Sequence, residues 1–103
     1  MPYMVETHDK PDSQELRERV RPEHLDFLAE HARLLLACGA KLTDDGSGAS
    51  GGLYLLDVDT REEAEAFIAA DPFSRAGLFS RVEVTRWRKA YLDGRCHLDE
   101  PTP

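Results

Sequence analysis

Eight residues, GLYLLDVD at 52–59, limit the possible folds of this chain more than any other stretch. Leu53 and Leu55 alternate with Tyr54, Leu56 and Val58, so a strand here carries apolar side chains on both of its faces. Both faces then need a covering layer. Directly afterwards Thr60 opens REEAEAFIAA with Glu63 three residues on, the signature of a capping box, and Ala64, Phe67 and Ile68 form the inner stripe of the helix that follows. That helix supplies part of one layer.

The remaining elements follow from the same local rules. Tyr3 to His8 alternates weakly and breaks at DKPDS, which reads as a first strand and a turn. Asp12 or Ser13 caps a short helix over 14–20, and the Arg21-Pro22 step interrupts it, because the residue before a proline avoids helical geometry. Pro22 then starts a longer helix to Cys38, with Leu25, Leu28, Ala32, Leu35 and Leu36 as its stripe and Gly39 as a left-handed cap. A short strand at 40–43 runs into a glycine- and serine-rich turn before the central strand. A last strand spans 81–87, with Val82 and Val84 on one face and Thr85 and Trp87 on the other. Residues 93–103 have the composition of a loose tail.

The order is β, α in two pieces, β, β, α, β. With right-handed crossovers the economical solution is a ferredoxin-like α+β sandwich, a four-stranded antiparallel sheet with its helices on one face. Residues 1–92 form this single domain. The second face of the sheet, with about half the apolar residues of the third and fourth strands, then has nothing in the chain to cover it. A homodimer packed sheet against sheet is the expected remedy.

Charge narrows the partners. Thirteen Lys and Arg are interspersed among twenty Asp and Glu, giving a net charge of −7, which works against nucleic acid and anionic membranes. No segment approaches the roughly 18 apolar residues of a membrane span, so a soluble, cytoplasmic protein is expected. Cys38 and Cys96 lack metal-ligand or CxxC spacing, and we read them as a buried apolar residue and a tail thiol, both reduced. No glycine-rich phosphate loop, nucleophile elbow or HExxH is present, so neither cofactor nor metal is expected.

Two short motifs remain, RVRPEHL and ADPF. With Pro22 as the first helical residue, His24 falls in the first turn, where the positive end of the helix dipole disfavours an imidazolium and keeps the ring neutral. A neutral imidazole takes a proton from a substrate when a partner orients it, usually a carboxylate. Asp71, placed before Pro72 as the cap of a short turn through Phe73 to Ala76, is the candidate partner. The two lie 47 positions apart, so spacing alone does not bring them together.

In this order the motifs are distinctive. An opening strand ending in a DK turn, LRERVRPEHL, a glycine-led central strand and EAEAFIAADPFSRAGLFSRVEV before an aromatic-basic strand resemble the YciI-like (YCII-related) family across residues 1–92. The resemblance implies a ferredoxin-like dimer with a cleft holding a histidine and an aspartate, here His24 and Asp71. Arg17 and Arg21, beside the histidine, and Phe73 are the candidate substrate-binding residues. One departure is CGAKL, where many relatives enter the second strand on a glycine-proline step. The expected activity is cofactor-free acid–base chemistry of isomerase or lyase type on a small cyclic or aromatic anion; a non-catalytic dimeric ligand-binding or accessory module is the alternative.

Overall fold

The central strand organises the molecule. In a computed structural model that describes residues 2–99, β1 (Tyr3–Asp9), β2 (Leu35–Leu42), β3 (Ala49–Leu56) and β4 (Phe79–Arg86) form one sheet. Its order is β2-β3-β1-β4 and every neighbouring pair is antiparallel. Helices α1 (Gln14–Glu30), α2 (Arg61–Ala70) and the one-turn α3 (Pro72–Arg75) complete a ferredoxin-like α+β fold. Tyr3 and Val5 of β1, Tyr54 and Leu56 of β3, and Ala64, Phe67 and Ile68 of α2 bury one another, with Phe27 and Leu28 of α1 packed alongside. Thr60 accepts the Glu63 amide at 3.2 Å, so α2 starts where its capping box places it.

The first helix differs from expectation. It runs unbroken from Gln14 to Glu30 with Pro22 inside it, so Pro22 neither starts a helix nor places His24 in a first turn. The local cost of an internal proline, about 3 kcal/mol or more, is offset by tertiary packing of the helix. The helix also ends earlier than expected. At its C-terminus the His31 amide closes on the Phe27 and Leu28 carbonyls, and after a 3-10 turn at Ala32–Leu34 the segment LLACG joins the sheet. Cys38 pairs with Tyr54 and Gly39 with Leu53, so Gly39 is a strand residue and not a helix cap. The expected leucine stripe dissolves accordingly: Leu25 is exposed, Leu35 and Leu36 belong to β2, and the buried residues of α1 are Arg17 and His24.

The face of the sheet away from the helices grades from apolar to charged. Ala37, Leu55, Met4 and Thr85 make one row across the four strands; Gly39, Leu53, Glu6 and Glu83 make the next. The third row is Lys41, Gly51, His8 and Arg81. Because Gly51 has no side chain, Lys41 reaches across β3 to Glu6 (3.2 Å) and His8 (3.1 Å) of β1. Val82 and Val84 lie opposite Thr7 and Val5 and so share their helix-covered side. Within β4 these rows hold Thr85, Glu83 and Arg81, and the apolar part of the three rows is Met4, Leu53, Leu55 and Ala37.

Beyond the sheet, Tyr91–Leu92 and Arg95–Cys96 pair through Asp93 and Gly94, both at positive φ (53° and 75°). This is the Asp-Gly hairpin turn whose twist suits two strands, and it lies at the start of the stretch read as a loose tail. Residues 100–103 of that stretch are outside the described residues. Among the described residues no helix is long and apolar enough to cross a membrane.

Candidate active site

Helical spacing puts Arg17, Arg21 and His24 on one side of α1. Opposite them the chain breaks at Asp71-Pro72: Asp71 closes α2 in extended geometry (φ −60°, ψ 131°), as a residue before proline must, and caps α3. Its Oδ1 accepts the Phe73 amide at 2.9 Å. This fully buried carboxylate also accepts the Tyr54 hydroxyl at 2.9 Å. His24 is its third partner, with Nδ1 2.9 Å from Oδ1 and 3.0 Å from Oδ2. One strand and two helices thus converge on a single acceptor.

A carboxylate only accepts hydrogen bonds, so the proton of a neutral His24 ring sits on Nδ1. Nε2 is then the nitrogen left to meet a ligand, and it has no hydrogen-bond partner among the described residues. The helix dipole does not act here as expected, because its effect fades within the first turn and His24 lies well inside α1. Asp71 fixes the tautomer instead. The Phe73 ring, itself buried, stacks on the imidazole with centroids 4.0 Å apart and planes 16° from parallel. Burial and the negative charge of Asp71 push the Tyr54 phenol far above its ordinary range, so it stays a donor.

The two arginines differ. Arg17 is buried; its Nε donates to Asp9 at 2.7 Å, its Nη2 to the Gly51 carbonyl at 3.0 Å, and its Cζ lies 4.9 Å from the Phe73 ring centre. Arg21 is exposed and makes no hydrogen bond or ion pair among the described residues. Both line a cleft of about 200 Å³ with His24, Tyr54 and Phe73, closed on the sheet side by Cys38, Gly39, Ala40, Gly51 and Gly52. Cys38 is exposed and not buried as expected, since β2 is an edge strand. Desolvation at the cleft wall and the charge of Asp71 push its thiol up to about 11. It is no thiolate nucleophile at neutral pH.

Sequence reasoning missed Tyr54 and Asp9. A tyrosine on the buried side of an apolar strand is itself a signal, because its hydroxyl needs a partner. Asp9 gave no such sign, being one of several polar residues at a turn. Elsewhere, Glu6, His8 and Glu83 offer three donor atoms within 4.8 Å of one another, but Lys41 and Arg81 stand 3.1 Å from the His8 nitrogens. Two cations inside that group disfavour a metal ion.

The chain is similar to known proteins over most of its length. Protein YciI of Escherichia coli O6:H1 and of Shigella flexneri is 33% identical over 98 residues, spanning 88% of this chain and all of that protein. An uncharacterised protein of Haemophilus influenzae is 29% identical over the same length. Among solved structures, 5-chloro-2-hydroxyhydroquinone dehydrochlorinase (TftG) of Burkholderia phenoliruptrix, in complex with 2,5-dihydroxybenzoquinone, superposes with a TM-score of 0.79 at 26% identity. That match covers 85% of this chain and 94% of the other. The model of the YCII-related domain matches residues 1–88, and with a whole-length relative above 30% identity the chain belongs to the YCII-related family.

Proposed function

We propose that the protein is a cofactor-free acid–base enzyme of isomerase or lyase type acting on a small cyclic or aromatic anion. One observation carries this reading: a buried carboxylate holds Nδ1 of His24 at 2.9 Å while Nε2 is left to the cleft. Nε2 takes a proton from the substrate, and Asp71 stabilises the imidazolium until the proton is returned or released. The dehydrochlorinase neighbour, with a dihydroxybenzoquinone in its complex, suggests which molecules to try first. In an elimination of that kind Nε2 takes the proton of one ring hydroxyl and returns it to the chlorine-bearing carbon as a ring C=O forms; a second hydroxyl then loses its proton, chloride leaves with the C–Cl electron pair, and a hydroxyquinone remains.

Chloride release from 5-chloro-2-hydroxyhydroquinone is the assay. Turnover by the wild type is expected, with His24→Ala slower by about 10²–10⁴-fold, the usual contribution of a positioned acid–base group. A folded His24→Ala protein that releases chloride as fast as wild type defeats the catalytic reading and leaves a ligand-binding module.

We also propose that a second copy covers the apolar rows of the open sheet face. Leu53 there is 39% exposed, beside Leu55 and Met4, an apolar group of the kind that marks an interface. Sedimentation at micromolar concentration is expected to give twice the 11.6 kDa chain mass, and Leu53→Asp to halve it. A wild-type species at 11.6 kDa refutes the pairing.

A further inference from the structure

We infer that Arg21 is the anchor for the ligand's anionic group, a carboxylate or phenolate on a single planar ring, and that Arg17 is a positioning residue that touches no ligand charge. This deepens the acid–base reading and rests on it for the class of ligand.

Charge accounting separates the two residues. The Arg17 guanidinium is matched by Asp9 at 2.7 Å, with both side chains less than one-tenth exposed, so that pair brings no net charge to the cleft. The same guanidinium donates to the Gly51 carbonyl and lies over the Phe73 ring. A ligand carboxylate at Arg17 would compete with Asp9 for a buried cation whose charge is already matched. Asp71 is likewise engaged on its three donors. Arg21 alone among the charged residues lining the cleft has no partner among the described residues, in a chain whose net charge is −7. It lies one helical turn beyond Arg17 and three residues before His24, so an anion on Arg21 sets the rest of a small molecule beside the imidazole.

The size of the cleft fixes the body of the ligand. An apolar cavity of roughly 150 Å³ accepts a benzene, so about 200 Å³ suits one substituted ring. Gly52 on the sheet side adds no side chain of its own to the cleft wall, which there is completed by the Tyr54 ring. Arg17 acts at one remove. It approaches the same Phe73 ring that stacks on His24, and so holds the imidazole's apolar support in place.

Benzoate is the probe, titrated into the full-length wild-type protein while the Arg Nε–H and His24 Cε1–H resonances are followed. Saturable shifts of Arg21 and His24 are expected by about 50 mM, a millimolar affinity, with the Arg17 Nε–H unmoved on Asp9. Arg21→Gln, an exposed change that leaves the fold intact, is expected to weaken benzoate about tenfold, and Arg21→Lys to restore most of the loss. Arg17→Lys is expected to shift the His24 resonance of the unliganded protein while leaving benzoate affinity within about threefold. A larger benzoate shift at Arg17 than at Arg21, unchanged affinity in Arg21→Gln, or no saturable shift in the wild type each overturns the proposal. Because binding is read without turnover, a protein that holds benzoate on Arg21 yet is indifferent to His24→Ala in the chloride assay sinks the enzymatic reading alone.

Discussion

Asp71→Ala is expected to destabilise the fold by about 3–5 kcal/mol, the range for removing one partner of a buried pair. For a domain of this size that lowers the thermal midpoint by roughly 12 °C or more. The carboxylate has no solvent exposure and accepts from the His24 ring, the Tyr54 hydroxyl and the Phe73 amide. Alanine leaves three donors without an acceptor in a site too enclosed for water to replace it cheaply. Asp71→Asn is no remedy, since its amide nitrogen brings a fourth donor among them. Urea denaturation of the two single variants His24→Ala and Asp71→Ala and of the double variant measures the coupling. The double variant should lose less than the sum of the singles, because removing His24 already removes one of the stranded donors. A loss below about 1 kcal/mol in Asp71→Ala would mean that the three contacts are not made.

The second large effect is expected from backbone geometry and not from charge. Gly51→Ala puts a methyl into the Thr7 carbonyl oxygen, with the Thr7 carbonyl carbon 2.8 Å and the Lys41 Cε 2.9 Å away, at a φ of +156° that L-residues rarely adopt. Thr7 is a backbone contact in the β1–β3 ladder and has no freedom to move aside without breaking it. A loss of about 3 kcal/mol or more, or failure to fold, is expected. Gly52→Ala is the control: its nearest atoms lie at 3.4 Å, so a small adjustment absorbs the methyl and the cost stays near 1 kcal/mol. Equal stabilities of the two variants in urea would contradict the backbone geometry. Since the Gly51 carbonyl also accepts from Arg17, the same substitution is expected to disturb the support beneath His24.

How far the sequence led depended on the range of the force involved. The strand at 52–56, the capping box of α2 and the Asp71 cap of α3 were legible because each is decided within a few residues of itself. Pro22 and LLACG were misread for the complementary reason. A proline is a helix breaker only on local grounds, and LLACG continues a helical stripe until Tyr54 and Leu53 offer it a ladder. His24 and Asp71 were nominated by residue type, proline placement and family resemblance. Their distance, and the arrival of Tyr54 on the same carboxylate, were not in the pattern.

The amino-acid sequence by itself therefore determined the order of the main strands and helices, the ferredoxin-like arrangement they allow, and the two motifs worth watching. The tertiary structure alone decided that His24 rests on Asp71 and Phe73, that Arg17 is committed to Asp9, and that Arg21 is left to the cleft. Periodicity and capping are short-range and leave a trace along the chain. A hydrogen bond between residues 47 positions apart depends on how a helix lies across a sheet, and that is fixed by packing summed over the whole core.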